Sequence, residues 1–198
     1  MGLGSRVARG APAETPSTWN PADKDAAYTL SGGNLIATRA LGGAQASLRS
    51  TQSRTGKRYC EQVVNLNAGD SSPSFANATA SLSAYLGIDT NGVGIYGANG
   101  QVLYNGVSLL NTGSPIAVGE VIGWAYDIPG ALLWVYRNGV LQNGNPAAGT
   151  GGLSIPGIGA APFMGFWCVS GPAQTTLRAL AASFTGTIPT GFTAWDAA

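Results

Sequence analysis

Glycines at Gly92, Gly94 and Gly97 stand at the G-x-G-x-x-G spacing. In a strand-to-helix turn that spacing cradles a dinucleotide pyrophosphate. The chemistry needs a helix N-terminus after the third glycine and an acidic residue further on for the ribose, a place Glu120 would fill. Downstream of Gly97 the chain instead reads Ala98-Asn99-Gly100, then Gln101 to Tyr104, then Asn105-Gly106. Asn-Gly pairs tolerate the positive φ of two-residue turns, and a short run between two of them suits a strand. The stretch predicts a β-hairpin in place of a nucleotide loop.

Other reactive groups are sparse. Glycoside cleavage needs two carboxylates about 5 to 10 Å apart, and the chain has nine acidic residues. Asp23 and Asp25 flank the start of the folded part, Asp89 and Asp127 fall in predicted turns, and Glu61 and Glu120 lie at or near strand starts. No pair stands out. Histidine is absent, which removes Ser-His-Asp and Cys-His nucleophile systems and histidine-ligated zinc. Cys60 and Cys168 each sit in an apolar run and read as two core thiols, with a disulfide left open. Asp89-Thr90-Asn91-Gly92 starts like a calcium loop, but the later ligands of that pattern are missing and a tight turn explains it. No catalytic residue, metal ligand or cofactor is assigned.

The elements around these residues are strands. The chain has 198 residues, 44% of them hydrophobic and only 10% charged, with glycines and prolines punctuating apolar runs. Ile122, Trp124 and Tyr126 alternate with Val121, Gly123 and Ala125, and Leu132, Trp134 and Tyr136 repeat the pattern before Asn138-Gly139. Such one-sided aromatic stripes suit two sheets packed face to face, with Trp124, Trp134 and Trp167 in the core. The run "PFMGFWCV" suits a central strand covered on both sides, while "TTLRALAASF" reads as strand although its alanines equally permit a short helix. Residues 67 to 81 form the longest polar interruption and are expected to be a loop.

A net charge of +1 supplies no field for nucleic acid or a membrane surface. The basic cluster Arg49, Arg54, Lys57 and Arg58 is expected to be a solvated turn. Residues 1 to 17 lack apolar periodicity and read as a flexible docking arm, leaving 18 to 198 as one β-sandwich domain. The N-terminus has no secretory h-region, and no apolar run reaches membrane-spanning length.

The order of landmarks resembles the SPRY domain family, in particular the SPRY-like domains of bacteriophage and prophage structural proteins. The residues that carry the likeness are "TWNPADKDAAYTLSGGNLIAT", "RTGKRYCEQVV", "YLGI", "GVGIYGANGQVLYNG", "GEVIGWAYDIPGALLWVYRNGVLQ", "PFMGFW" and "FTGTIPTGFTAWD". Together they span roughly residues 18 to 196. Cys60 departs from the pattern, standing where the family often has Trp. The resemblance implies an all-β, concanavalin-like jelly-roll sandwich of two antiparallel sheets. It also implies binding through loops, with no common cofactor and no catalytic apparatus.

The expectation is therefore a non-enzymatic virion component, either a capsid decoration or fibre or a tail or adhesion protein. It would be present in many copies, docked to other virion proteins through its arm and touching a host-surface glycan or protein. Candidate contact residues are Tyr96, Asn99, Tyr104 and Asn105 around the Asn-Gly turns, with Asp70 and Phe75 in the long polar segment. The alternatives are a glycan-active hydrolase or lyase and a lectin-like module.

Overall fold

A computed structural model describes residues 15–40, 43–68 and 70–197. The strands in chain order are β1 (Trp19–Lys24), β2 (Tyr28–Ser31), β3 (Ile36–Arg39), β4 (Ala46–Ser53), β5 (Lys57–Asn67) and β6 (Ser72–Ala76). Then come β7 (Gly92–Ile95), β8 (Gln101–Tyr104), β9 (Val107–Asn111), β10 (Val121–Asp127), β11 (Leu132–Arg137) and β12 (Val140–Leu141). The last four are β13 (Leu153–Ser154), β14 (Phe163–Cys168), β15 (Ala173–Arg178) and β16 (Thr193–Ala194). Two 3-10 turns, Pro156–Ile158 and Ala181–Ser183, are the helical elements among the described residues.

The strands form two sheets, as the alternation requires. One runs β1-β4-β14-β6-β7-β8-β9. The other runs β12-β11-β10-β5-β15-β3-β2, with β13 beside β11 and β16 beside β5. Every pairing is antiparallel except β16 with β5. This is the expected two-sheet β-sandwich, and β14 sits where the apolar run "PFMGFWCV" implies, inside its sheet.

The space between the sheets holds the main core, with Ile122, Trp124 and Tyr126 of β10 facing Phe75 of β6 and Phe166 of β14. The second aromatic stripe departs from the expectation. Leu133 and Val135 of β11 point into the main core, so Trp134 and Tyr136 point outward. They stay dry because the C-terminal segment folds over them: Phe192 meets Trp134 edge-on at 6.0 Å, and Phe184 and Ile188 pack beside it. One stripe is therefore buried by the opposing sheet and the other by the chain's own tail.

Of the three Asn-Gly turns expected, two form with positive φ at each central residue, Asn105 (52°) with Gly106 (71°) and Asn138 (49°) with Gly139 (79°), while at Asn99-Gly100 only the glycine is positive (73°). "TTLRALAASF" divides into the end of β15 and the 3-10 turn at Ala181–Ser183. The polar segment 67 to 81 is not one loop, because β6 runs through it and pairs with both β14 and β7. Cys60 and Cys168 are buried free thiols.

The basic cluster is not a solvated turn. Arg49 is buried and forks onto both carboxylate oxygens of Asp23, each at 2.7 Å. Arg54 donates to Asp196 at 2.6 Å, Lys57 pairs with Asp127 at 3.0 Å, and Arg58 donates to the carbonyls of Ala194 and Trp195. These partners lie far away in sequence: Arg49, Arg54 and Arg58 staple the chain ends to the sandwich, and Lys57 ties β5 to β10.

Candidate aromatic binding site

The site begins with the alternation of β14. Met164, Phe166 and Cys168 face the main core, so Trp167 must face the outside of the seven-stranded sheet. Flat glycine positions make room for its indole. A Cβ at Gly94 of β7 would stand 2.8 Å from Trp167 Nε1 and 2.8 Å from Ser74 Cβ. Gly97 is as crowded, since a Cβ there would lie 2.3 Å from the Ser71 carbonyl oxygen. The glycines that imitate a nucleotide fingerprint are thus close-approach positions within a β-hairpin.

Two tyrosines flank the indole. Tyr96, just past β7, stacks on it with centroids 5.4 Å apart and planes 16° from parallel. Tyr85 also meets it, at 5.2 Å with a 41° tilt. Tyr85 is held in place by its own N–H, which donates to Gln45 Oε1 at 3.1 Å. Together with Gln45, Leu103 and Val169, these rings line a cavity of about 270 Å³. No charged side chain lines it among the described residues.

Polarity enters at one edge. Burial raises the Tyr96 hydroxyl above the ordinary tyrosine value, and the adjacent Asp70 carboxylate, which accepts its proton in a hydrogen bond, raises it further. Asp70 Oδ2 also accepts from Ser170 Oγ at 3.1 Å. Tyr96 is thus a neutral hydroxyl across the physiological range, held beside an anchored carboxylate.

Of the six residues expected from sequence, Tyr96 lines this cavity and Asp70 sits behind its hydroxyl. Asn99 sits in the turn after β7, where its side chain is committed to the N–H and amide of Gln101. Asn105 is exposed on the next turn, at the far end of β8. Two positions need correction. Tyr104 is a core residue whose hydroxyl accepts from Gly157 N–H at 2.8 Å. Phe75 is a strand residue buried between the sheets against Trp124, Tyr126 and Trp195, and no ligand reaches it. Sequence reasoning missed Tyr85 as a site residue; Trp167 is buried as expected, but in a separate cluster on the outer face of the seven-stranded sheet. The available signal was the alternation in "FMGFWC", which turns Trp167 away from its neighbours.

A second groove, of about 220 Å³, lies between the β2–β3 turn and the C-terminal segment, lined by Pro16, Leu35, Leu177 and Leu180. It has no aromatic wall. Asp196 beneath it is occupied by Ser17 and Arg54.

The fold is that of SPRY domains. The SPRY domain of human HERC1 superposes with a TM-score of 0.66 over 81% of this chain and 96% of that one, at 13% identity. The TRIM65 PSpry domain gives 0.59 over 81% and 88% at 14% identity, and a human SPRY domain gives 0.59 over 77% and 94% at 14%. No family profile matches the sequence, and no curated protein matches it.

Proposed function

We propose that this chain is a non-catalytic binding module that seats an uncharged side chain of a protein partner against the half-buried rings of Tyr85 and Tyr96, which the buried Trp167 supports from beneath. The observation that carries this reading is the neutral aromatic cavity on the outer face of the seven-stranded sheet. Its volume falls just below the roughly 300 to 1,000 Å³ of small-molecule sites, so it suits one side chain of a docked segment. Tyrosine and tryptophan provide large contact area at little conformational cost, which is why they dominate binding hot spots. The SPRY fold supports a binding role by analogy.

The arrangement of acidic groups supports a non-enzymatic reading. Glu61 accepts from the N–H groups of Thr185 and Gly186, Glu120 and Asp127 are ion-paired, and Asp89 caps the N–H of Asn91. Asp23 and Asp196 hold Arg49 and Arg54, and Asp25 holds the N–H of Ala27. Carboxylates engaged in this way stabilise the fold and are not poised across a substrate.

The placement we propose is in a bacteriophage particle, as a multicopy capsid or tail component. That part rests on the sequence likeness to phage SPRY-like domains. The proposed docking arm, residues 1 to 17, lies outside the described residues as far as residue 14.

The test is selection from a random peptide library, with titration of selected peptides against the wild-type protein and a Tyr85→Ala/Tyr96→Ala variant. Binding that weakens at least about tenfold while the melting temperature holds is the expected result. Undiminished binding by the variant overturns the assignment of the site. Capture of neutral envelope oligosaccharides in place of peptides would turn the same rings into a lectin platform and overturn the protein-partner reading.

A further inference from the structure

A sheet edge presents unpaired N–H and C=O groups, and proteins guard such edges with charge, proline, irregularity or brevity. Three of the four edges here are guarded by charge, proline or brevity, and the fourth has only a bulge. Strand β1 carries Pro21, Asp23 and Lys24 and pairs irregularly with β4. Strand β12 has two residues. Strand β2 has four, and the Lys24 ammonium occupies the Tyr28 carbonyl at 2.7 Å.

Strand β9 differs. Its sequence Val107-Ser108-Leu109-Leu110-Asn111 contains no charge and no proline, and four of its five residues are exposed. The neutrality extends well beyond the strand, since no Asp, Glu, Lys or Arg occurs from Thr90 to Gly119. Val107 is 58% exposed, and Ile88, whose neighbour Gly87 accepts from Gly106 N–H, is 47% exposed. Leu109 is the extra residue of a bulge, because Val102 faces Leu110 while Leu103 faces Ser108. The bulge adds twist but leaves Leu109 partly exposed.

We infer that β9 is a homodimerisation edge, pairing antiparallel with β9 of a second copy. Self-pairing brings this strand against its own sequence, so its lack of charge means that the contact carries no like-charge repulsion. A two-fold through Leu109 sets Leu109 against Leu109, Ser108 against Leu110 and Val107 against Asn111, covering the exposed apolar residues of both copies at once. A charge-free strand offers no electrostatic handle for choosing a foreign partner, which further favours the second copy.

The geometry has a functional consequence. An antiparallel edge pair is related by an axis perpendicular to the sheet, so both aromatic cavities open on the same face of one continuous sheet. Leu103, which lines the cavity, lies on β8, one strand in from the edge. The two β8 strands would stand about 14 Å apart, three inter-strand spacings. Such a dimer presents two sites to one surface, where modest single-site affinities multiply. The dimer itself is independent of what the cavity binds.

One five-residue strand pair buries little area, so the association is weak and requires a wide concentration range to observe. Sedimentation velocity on the full chain, from micromolar to millimolar, is expected to show a concentration-dependent dimer. Leu109→Lys and Leu109→Glu should each raise the dimer dissociation constant at least about tenfold, since each variant sets like charges face to face. Mixing the two variants should restore the dimer. Val107→Lys, at the most exposed apolar position of the strand, serves as a second probe if the Leu109 variants melt early. A wild-type protein that stays monomeric to millimolar concentration overturns the proposal. So does a dimer indifferent to these charges, which would place the contact on another surface or mark a foreign strand as the true occupant of β9.

Discussion

Trp167 and Tyr96 stack at 5.4 Å although 71 positions of sequence separate them, and the missing side chain of Gly94 creates the space that the indole occupies. The backbone of β7 thereby shapes the aromatic cavity without contributing a side chain to it.

Gly94→Ala tests this relationship. The added methyl would sit 2.8 Å from both Trp167 Nε1 and Ser74 Cβ, closer than packed atoms tolerate. Overpacking of this kind costs about 1 to 3 kcal/mol. The expected result is a lower midpoint in urea together with loss of ligand binding, because the indole must move away from Tyr96. A variant with unchanged binding would show that the cavity does not depend on the position of Trp167.

Phe75→Ala separates core from surface. The ring is fully buried among Trp124, Tyr126 and Trp195, with centroids 5.4 to 5.7 Å away. Truncating a buried phenylalanine costs about 3 to 5 kcal/mol, a large part of a typical domain's stability. Circular dichroism should show a steep fall in melting temperature. A near-native melting temperature would contradict the core assignment.

The contrast between these two positions shows how much the sequence disclosed. Hairpin turns were legible because Asn105-Gly106 and Asn138-Gly139 encode their own backbone angles locally. Strands were legible through their alternation, and the family likeness pointed to the sandwich. The direction of a stripe was not, since Trp124 and Trp134 alternate alike while one faces the opposing sheet and the other faces Phe192. Nor were the partners of Arg49 and Arg54, because Asp23 and Asp196 come into reach only when the ends of the chain close on the sandwich. The site suffered most, being assembled from Gln45, Tyr85, Tyr96 and Trp167, which lie far apart along the chain.

Glu120 gives the fold a definite acid dependence. Burial pushes its carboxyl up, but the Arg137 guanidinium, donating to Oε1 at 2.5 Å and Oε2 at 2.7 Å, and the Ala117 N–H at 2.9 Å pull it down and prevail. A carboxylate held below its unfolded value stabilises the fold fully above about pH 4.3 and loses that contribution as pH falls through the folded value. Glu120→Gln should therefore lower stability near neutrality and flatten the dependence below about pH 5. Urea titrations of both proteins between neutral and strongly acidic pH would show it. Parallel curves would assign the acid sensitivity to other carboxylates.

Ser17 ties the first described residues to the C-terminal segment. Its N–H and hydroxyl both donate to the Asp196 carboxylate, at 2.5 and 2.7 Å, and it is as buried as the core. Arg54 joins the same carboxylate and also donates to the Thr15 carbonyl at 2.7 Å. Thr15 and Ser17 thus belong to a clasp that ties the start of the sandwich to its end, and the boundary expected after residue 17 would cut through it. Removing Ser17 would leave Asp196 buried with Arg54 alone, and hydrogen bonds to a charged group contribute about 1.5 to 3 kcal/mol each. A chain starting at Thr18 should be less stable than one starting at Thr15 by roughly that amount, with local hydrogen exchange rising around Trp195 and Asp196. Equal denaturation midpoints for the two chains would return the boundary to residue 17 and reduce the clasp to a surface contact.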